Sequence, residues 1–454
     1  MPSESARPPR PGPRPSAGRR RLLAVGPAVI AVLCTAAVAL SLVLFARPSA
    51  AAPLTRTLPG APVQPAWPAA GQAALGIAGA GETASPGQVP VPTASTAKLM
   101  TAYVFLNRYP LRPGRPGPSF TVSAEEAARH RARAARSESV VPLLKGQRLT
   151  ERQALSALLA ASANNVADEM ARWYGPDRAA FVADMNSTAH RLGMRHTRYT
   201  DPSGLAPTTV STAADQVRLL VAALKTPEFG TLAGASYTDV HGRAHANTNP
   251  VLGRYGVFAG KTGTTRAAGR NLVFAAHRDI AGRDRLVVGA VLGQPRTSTL
   301  TAPVRRLLTG TDHALVTAPV VRKGEVLAWL RGPSGHRIAL RAADALSVTG
   351  PPGSTVHLTV EPGAAPADGA PAGSEAARLL LTGLVPAPEE GGSAAAAGPP
   401  APAGPEGTAA TGGGPAGGAG AGVGLVTAER LPRLPTPPVF LPGPAALLPR
   451  FLLR

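Results

Sequence analysis

The stretch VPTASTAKLMTAYVFL, residues 91–106, places a serine (Ser95) three positions before a lysine (Lys98) and then runs on as an apolar segment that predicts a buried helix. A serine hydroxyl is a weak nucleophile and needs a base beside it. Lysine can be that base when burial strips its proton, whereas arginine stays charged. On a helix, positions i and i+3 share a face, so Ser95 and Lys98 can come within hydrogen-bond reach. A helix start at Thr93 would also turn the positive end of the helix dipole toward charge developing at Ser95. Such a pair alone is common on exposed helices. Here it is less so, because the chain has five lysines (Lys98, Lys145, Lys225, Lys261 and Lys323) against 42 arginines.

Working outward, Ser162-Ala-Asn164 lies 67 residues beyond Ser95, and Lys261-Thr262-Gly263 a further 99 residues on. Ser162 and Asn164 precede a helical pattern, VADEMARWYG. A loop there can aim a hydroxyl and an amide into one cleft. Three short apolar runs, Gly256–Lys261, Asn271–Ala276 and Leu286–Leu292, are separated by turn residues and predict an antiparallel sheet edge. Lys261 and Thr262 fall on its first strand, before a turn GTTRAAG. An edge strand can offer main-chain groups to an extended peptide. Lys261 adds positive charge and Thr262 a hydroxyl, which suits a terminal carboxylate. Thr150-Glu-Arg-Gln153 has the form of a capping box ahead of ALSALLAA.

The ordered trio, with the flanks MNSTAHRLGMRHTRYTDPSGL, STAADQVRLL, NTNPVL and GKTGTTRAAGRNLVFAA, resembles the serine D-alanyl-D-alanine carboxypeptidases, the low-molecular-mass penicillin-binding proteins. The resemblance covers residues 69–295. It implies an α/β two-lobed penicillin-binding/β-lactamase-like domain, with an all-α lobe and an antiparallel sheet flanked by helices. Carried over by position, Ser95 is the acylated nucleophile, Lys98 its base, Ser162 the proton relay and Asn164 a substrate contact. Lys261 and Thr262 hold the terminal carboxylate, and the backbone N–H groups of Ser95 and Thr264 form the oxyanion hole. The implied substrates are peptidoglycan stem peptides ending in D-Ala-D-Ala, with β-lactams as covalent inhibitors and no metal or organic cofactor. Ala163 stands where relatives often carry Gly or Asp, and a clear C-terminal amphipathic anchor helix, common in relatives, is not expected from the sequence.

The chain of 454 residues has room for two or three domains. Residues 1–21 form a basic tail with six arginines, and 22–46 carry no charge. Twenty-five residues exceed the roughly 20 that span a bilayer and the about 7–15 of a signal-peptide core. This favours a single-pass anchor in the cytoplasmic membrane over a cleaved signal, with the N-terminus cytoplasmic and the catalytic domain extracytoplasmic. Residues 47–68 read as a linker, 69–310 as the catalytic domain and 311–362 as a small β-rich module. Residues 363–454, a low-complexity Pro/Gly/Ala tail, are expected to bury no core.

The net charge of +21 is spread over scattered arginines, aromatics are 4%, and no nucleic-acid-binding signature occurs. Nucleic acid is therefore not expected as a partner. One cysteine, Cys34, excludes an intrachain disulfide. The arginines between Arg129 and Arg136 read as a solvated helix face. Two alternatives share the motifs: a β-lactamase, and a non-catalytic penicillin-binding or sensing protein. Fast deacylation in one β-lactamase class uses an additional Glu acting through a water. Between Ser162 and Lys261 the glutamates are Glu169 and Glu228, and neither has the Glu-x-x-x-Asn context.

Overall fold

The computed structural model describes residues 54–226, 228–331, 337–363, 366, 369–385 and 422–428. In chain order, β1 (Leu54–Thr57) is followed by the hairpin β2 (Gln72–Ile77) and β3 (Gly81–Ala84). A 3-10 turn, Ala94–Ala97, leads into α1 (Lys98–Arg108). Then come α2 (Ala124–Ala135), α3 (Glu151–Leu159), α4 (Asn164–Tyr174), α5 (Arg178–Arg191), α6 (Ala213–Ala223) and α7 (Phe229–Gly234). The chain returns to the sheet with β4 (Val257–Thr265), β5 (Gly269–Ile280) and β6 (Arg283–Gln294), and closes the domain with α8 (Thr301–Gly310).

The sheet is antiparallel in the order β4–β5–β6–β2–β3. Side chains alternate across a strand with period two, and here both faces are covered. Val273 and Ala275 of β5 join the core of the helical lobe, with Leu99, Phe105, Leu158, Met170 and Leu220. Leu272, Phe274 and Ala276, on the other face, pack against Val304, Leu307 and Leu308 of α8. Double burial explains why these strands read as near-continuous apolar runs. Each strand outruns its apolar run, because main-chain pairing carries on past the last apolar side chain. β4 therefore continues through Thr265. The turn expected from Gly263 comes later, since Gly263 pairs with Asn271 and Thr264 with Arg270.

The capping box at α3 forms. The Thr150 hydroxyl accepts from the Gln153 N–H, and the Gln153 side chain accepts from the Thr150 N–H.

The C-terminal module departs from the expected boundaries at both ends. It comprises β7 (Val316–Val321), β8 (Val326–Arg331), β9 (Arg337–Ala342), β10 (Leu346–Gly350), β11 (Thr355–Pro362), β12 (Glu375–Val385) and β13 (Gly422–Thr427). Six strands pair in the order β1–β11–β12–β13–β9–β8, and β7 pairs with β10. β1 comes from the segment read as a linker; Leu54 lies opposite Leu358 and Thr57 opposite Thr355. β12 and β13 come from the segment read as a tail without a core, yet Ala377, Leu379 and Leu425 are fully buried there. The short apolar stretches EAARLLLTGLV and GVGLVT are diluted in composition by the Ala/Gly/Pro around them. They gain a core by pairing: β12 with β11 just before it, and β13 with β12 and with β9 further back in the chain. The charge-free run 22–46 lies outside the described residues, among which no helix is long and apolar enough to cross a membrane.

Candidate active site

Ser95 sits in the 3-10 turn and Lys98 opens α1. A 3-10 helix has three residues per turn, so i and i+3 eclipse. The two side chains are aligned more directly than on an α-helix, and Lys98 Nζ lies 2.8 Å from Ser95 Oγ. Lys98 is fully buried and also donates to Asn164 Oδ1 (2.7 Å) and to the Ser203 carbonyl (3.1 Å). Burial lowers its pKa to about 7, against the opposing pull of the Asp201, Asp168 and Glu138 carboxylates. Near neutral pH a substantial fraction of the amine is therefore free to take the serine proton.

Three features hold this turn. Ala94, just before the serine, has φ +47°, a region unusual for residues other than glycine. The carbonyl of Ala94 is approached so closely by Gly204 that a Cβ there would come within 1.8 Å of the oxygen. Asn271 on β5 donates to the Pro92 and Thr93 carbonyls (3.0 and 2.9 Å) and accepts from the Gly293 N–H (2.8 Å). The nucleophile turn is thus fastened to the sheet by one buried amide. Asn271→Ala leaves buried carbonyls short of a donor, with an expected cost of about 1–3 kcal/mol, checked as a loss of unfolding free energy in denaturant titration.

Ser162 adopts φ +59° between α3 and α4 and is 5% exposed. Asn164 is the first residue of α4, so the middle motif is a strained turn plus a helix N-terminus. On the opposite wall, β4 is an edge strand. A Cβ at Gly263 would lie 2.8 Å from the Ser95 nitrogen and 2.7 Å from the Thr93 oxygen, so the strand runs directly against the nucleophile turn. Lys261 is 1% exposed, and burial first, then the charge of Lys98, holds its pKa well below the usual value. Its amine reaches the Thr262 carbonyl (3.0 Å), and the Thr262 hydroxyl meets that of Thr248 (2.6 Å).

Among the residues picked out from the sequence, the structure joins Ser95, Lys98 and Asn164 directly through one amine. Lys261 and Gly263 stand against the same centre from the sheet. The side chains of Ser162 and Thr264 make no hydrogen bond among the described residues. Sequence reasoning missed four contributors. Ser203 supplies a carbonyl to Lys98, and Asp201 braces that loop by accepting from Ser203 Oγ (2.7 Å), the Leu205 N–H (2.9 Å) and Thr209 Oγ1 (2.5 Å). Asn271 is the third. Glu138, 26 residues from Asn164 in the chain, accepts from Asn164 Nδ2 at 3.3 Å. Asp201 and Asn271 stand inside the quoted flanks, and Asn271 was legible as a polar residue opening an apolar run; Asp201, among polar and turn residues, and Glu138 had no such signal.

The reading of Arg129–Arg136 as a solvated face is corrected at Arg133. It is 7% exposed and pairs with Glu126, Glu138 and Asp168 at 2.6, 2.9 and 2.6 Å. Acidic partners from α4 and from the loop after α2 bring it inside. Glu169 and Glu228 are engaged elsewhere, Glu169 with Ser123 and Arg172 and Glu228 with Arg152.

A serine paired with a buried lysine of lowered pKa, between a helical lobe and a sheet edge bearing a second buried lysine, is an arrangement that can activate a serine for acyl transfer. A D-alanyl-D-alanine carboxypeptidase family profile matches residues 83–295. A D-alanyl-D-alanine endopeptidase of Pseudomonas aeruginosa is 34% identical over 192 residues, covering 40% of this chain and 58% of the relative. A D-alanyl-D-alanine carboxypeptidase of Mycobacterium tuberculosis is 34% identical over 211 residues, covering 44% of this chain and 67% of the relative. Among solved structures, the Streptomyces K15 DD-transpeptidase is 25% identical with a TM-score of 0.47, covering 55% of this chain and 99% of that one. The chain belongs to the D-alanyl-D-alanine carboxypeptidase family. It spans 58% and 61% of the length of two curated endopeptidases that it matches.

Proposed function

We propose that this protein removes the terminal D-alanine from peptidoglycan stem peptides through an acyl-enzyme on Ser95. The observation that carries this is the buried Lys98 amine, with its pKa lowered to about 7, lying 2.8 Å from Ser95 Oγ. Ser95 Oγ attacks the carbonyl of the penultimate D-alanine while Lys98 takes its proton. The oxyanion that forms is received by the N–H groups of Ser95 and Thr264. As the C–N bond breaks, Ser162 passes a proton to the departing amine of the terminal D-alanine. Water then attacks the ester, and the shortened peptide leaves as Ser95 regains its proton. Asn164 contacts the substrate backbone, and Lys261 with Thr262 receives the terminal carboxylate at the edge of β4. A β-lactam would acylate the same oxygen, its amide nitrogen staying attached after ring opening.

Two glutamates that might have served fast deacylation, Glu169 and Glu228, are tied to Ser123, Arg172 and Arg152. This favours a long-lived penicilloyl ester over a β-lactamase. The Pseudomonas relative's name favours a second reading, cleavage of cross-links by the same acyl-enzyme. We also propose a cytoplasmic N-terminus and an extracytoplasmic catalytic domain, from the charge-free run 22–46 behind six arginines.

The test incubates one sample of purified protein with penicillin and a separate, untreated sample with a pentapeptide ending in D-Ala-D-Ala. Intact-mass analysis and peptide mapping should find one adduct, on Ser95, and D-alanine should be released. Release no greater than that by a Ser95→Ala variant would overturn the proposal. Faster cleavage of a cross-linked dimer than of the pentapeptide would favour the second reading.

A further inference from the structure

We infer that Glu138 is a positioning residue that fixes the orientation of the Asn164 side-chain amide, so that its oxygen faces Lys98. The inference rests on the acyl-enzyme reading above and adds to it a part supplied by a segment outside the three motifs.

Two arginines hold Glu138 in place. Its Oε2 accepts from Arg133 Nη1 at 2.9 Å, and its Oε1 accepts from Arg136 Nε and Nη2 at 3.1 and 2.8 Å. Its side chain is 3% exposed. The backbone is pinned too. Ser137 has φ +56°, the Glu138 N–H donates to the Arg133 carbonyl at 3.1 Å, and the Ser139 carbonyl accepts from the Asn164 N–H at 2.7 Å. Two residues on, Val141 exchanges hydrogen bonds with the Asn165 side chain (3.3 and 2.7 Å). Residues 137–141 are thereby strapped across the start of α4, with the Glu138 carboxylate at the Asn164 amide.

Chemistry then dictates the orientation. An ionised carboxylate only accepts hydrogen bonds, whereas an asparagine amide has a donor end and an acceptor end. Burial works to raise the Glu138 pKa, but the hydrogen bonds from Arg136, Arg133 and Asn164 outweigh it and hold the carboxyl below its usual value. Asn164 must therefore give Nδ2 to Glu138 (3.3 Å), which leaves Oδ1 for Lys98 (2.7 Å). The reversed amide would set its N–H against the lysine and its oxygen against the carboxylate. Glu138 makes no hydrogen bond to Ser95 or Lys98; it positions through Asn164, and its charge also acts on Lys98 through space.

The charged groups that raise the Lys98 pKa against its burial are Asp201, Asp168 and Glu138, and the Lys98 charge in turn lowers the pKa of Lys261. Loss of the Glu138 charge lowers the Lys98 pKa. The limb along which acylation rises with pH then moves to lower pH, a change that a merely structural residue would not produce.

The experiment measures the second-order rate of Ser95 acylation by a fluorescent penicillin in Glu138→Ala, Asn164→Ala, the double variant and Glu126→Ala. Glu126 shares Arg133 with Glu138 but has no bond to Asn164, so Glu126→Ala reports loss of the ion-pair cluster alone. Glu138→Leu, of similar size and without an acceptor, stands in if Glu138→Ala does not fold. We expect Glu138→Ala to acylate about 10–100-fold more slowly, with its pH limb displaced to lower pH. Glu126→Ala should keep its acylation rate while losing thermal stability. The double variant should be no slower than Asn164→Ala, because residues acting through one another are not additive. Additive losses in the double variant, or an equal loss in Glu126→Ala, would overturn the inference. Wild-type protein that fails to be acylated would instead overturn the functional reading on which it rests.

Discussion

Lys98→Arg should acylate Ser95 about 10²–10⁴-fold more slowly than wild type, the range that one general base contributes. The substitution keeps a positive charge and a long stem but removes the capacity to lose a proton. The wild-type residue can lose it because burial brings the pKa to about 7, with Asp201, Asp168 and Glu138 limiting the drop. The sign follows: the neutral amine is the active form, so wild-type acylation should climb as pH rises through about 7 and level off above it. Lys98→Met, close in length and uncharged, should lose activity as far as Lys98→Arg, because what matters is the base and not the charge. The measurement is stopped-flow labelling with a fluorescent penicillin between pH 5 and 9. A Lys98→Met protein that kept its rate, or a wild-type profile flat across that range, would remove Lys98 from the mechanism.

Gly263→Ala is expected to have the next largest effect, and it acts through geometry alone. The added Cβ would meet the Thr93 oxygen at 2.7 Å, the Ser95 nitrogen at 2.8 Å and the Thr96 nitrogen at 3.0 Å. All three are main-chain atoms of the nucleophile turn and none can rotate aside. Either β4 or the turn must shift, which separates Ser95 from the strand carrying Lys261, Thr262 and Thr264. A displacement near 1 Å costs about 10²-fold in a positioned reaction, and overpacking costs about 1–3 kcal/mol in stability. Gly263→Ala should therefore acylate about 100-fold more slowly with only a modest drop in melting temperature. Gly310, at the end of α8 with nothing near its Cβ, gives the control: Gly310→Ala should acylate at the wild-type rate. If Gly263→Ala also kept that rate, the close packing of strand on turn would not be part of the site.

Much of the catalytic fold could be read along the chain. The near-continuous apolar runs of β5 and β6, the capping box at Thr150 and the apolar run after Lys98 are local signals, each set by neighbours within a few residues. The C-terminal module was harder, because β1 pairs with a strand some three hundred residues away, and β12 and β13 are hidden in low-complexity sequence. Composition averages over such segments, while a sheet needs only five or six apolar positions that find the right edge.

For the chemistry, the division is sharper. The sequence by itself determined that Ser95 has a lysine on its own helix face, that a hydroxyl and an amide follow together, and that a second lysine sits on a strand. These are matters of residue type and spacing. Only the tertiary structure decided that Lys98 is buried enough to lose its proton, and that Ser203 and Asn164 receive its amine. It also decided that Gly263 presses against the Ser95 nitrogen and that Glu138 sits behind Asn164. Burial, desolvation and the direction of a side-chain amide depend on atoms brought together from distant parts of the chain, and no local pattern of residues encodes them.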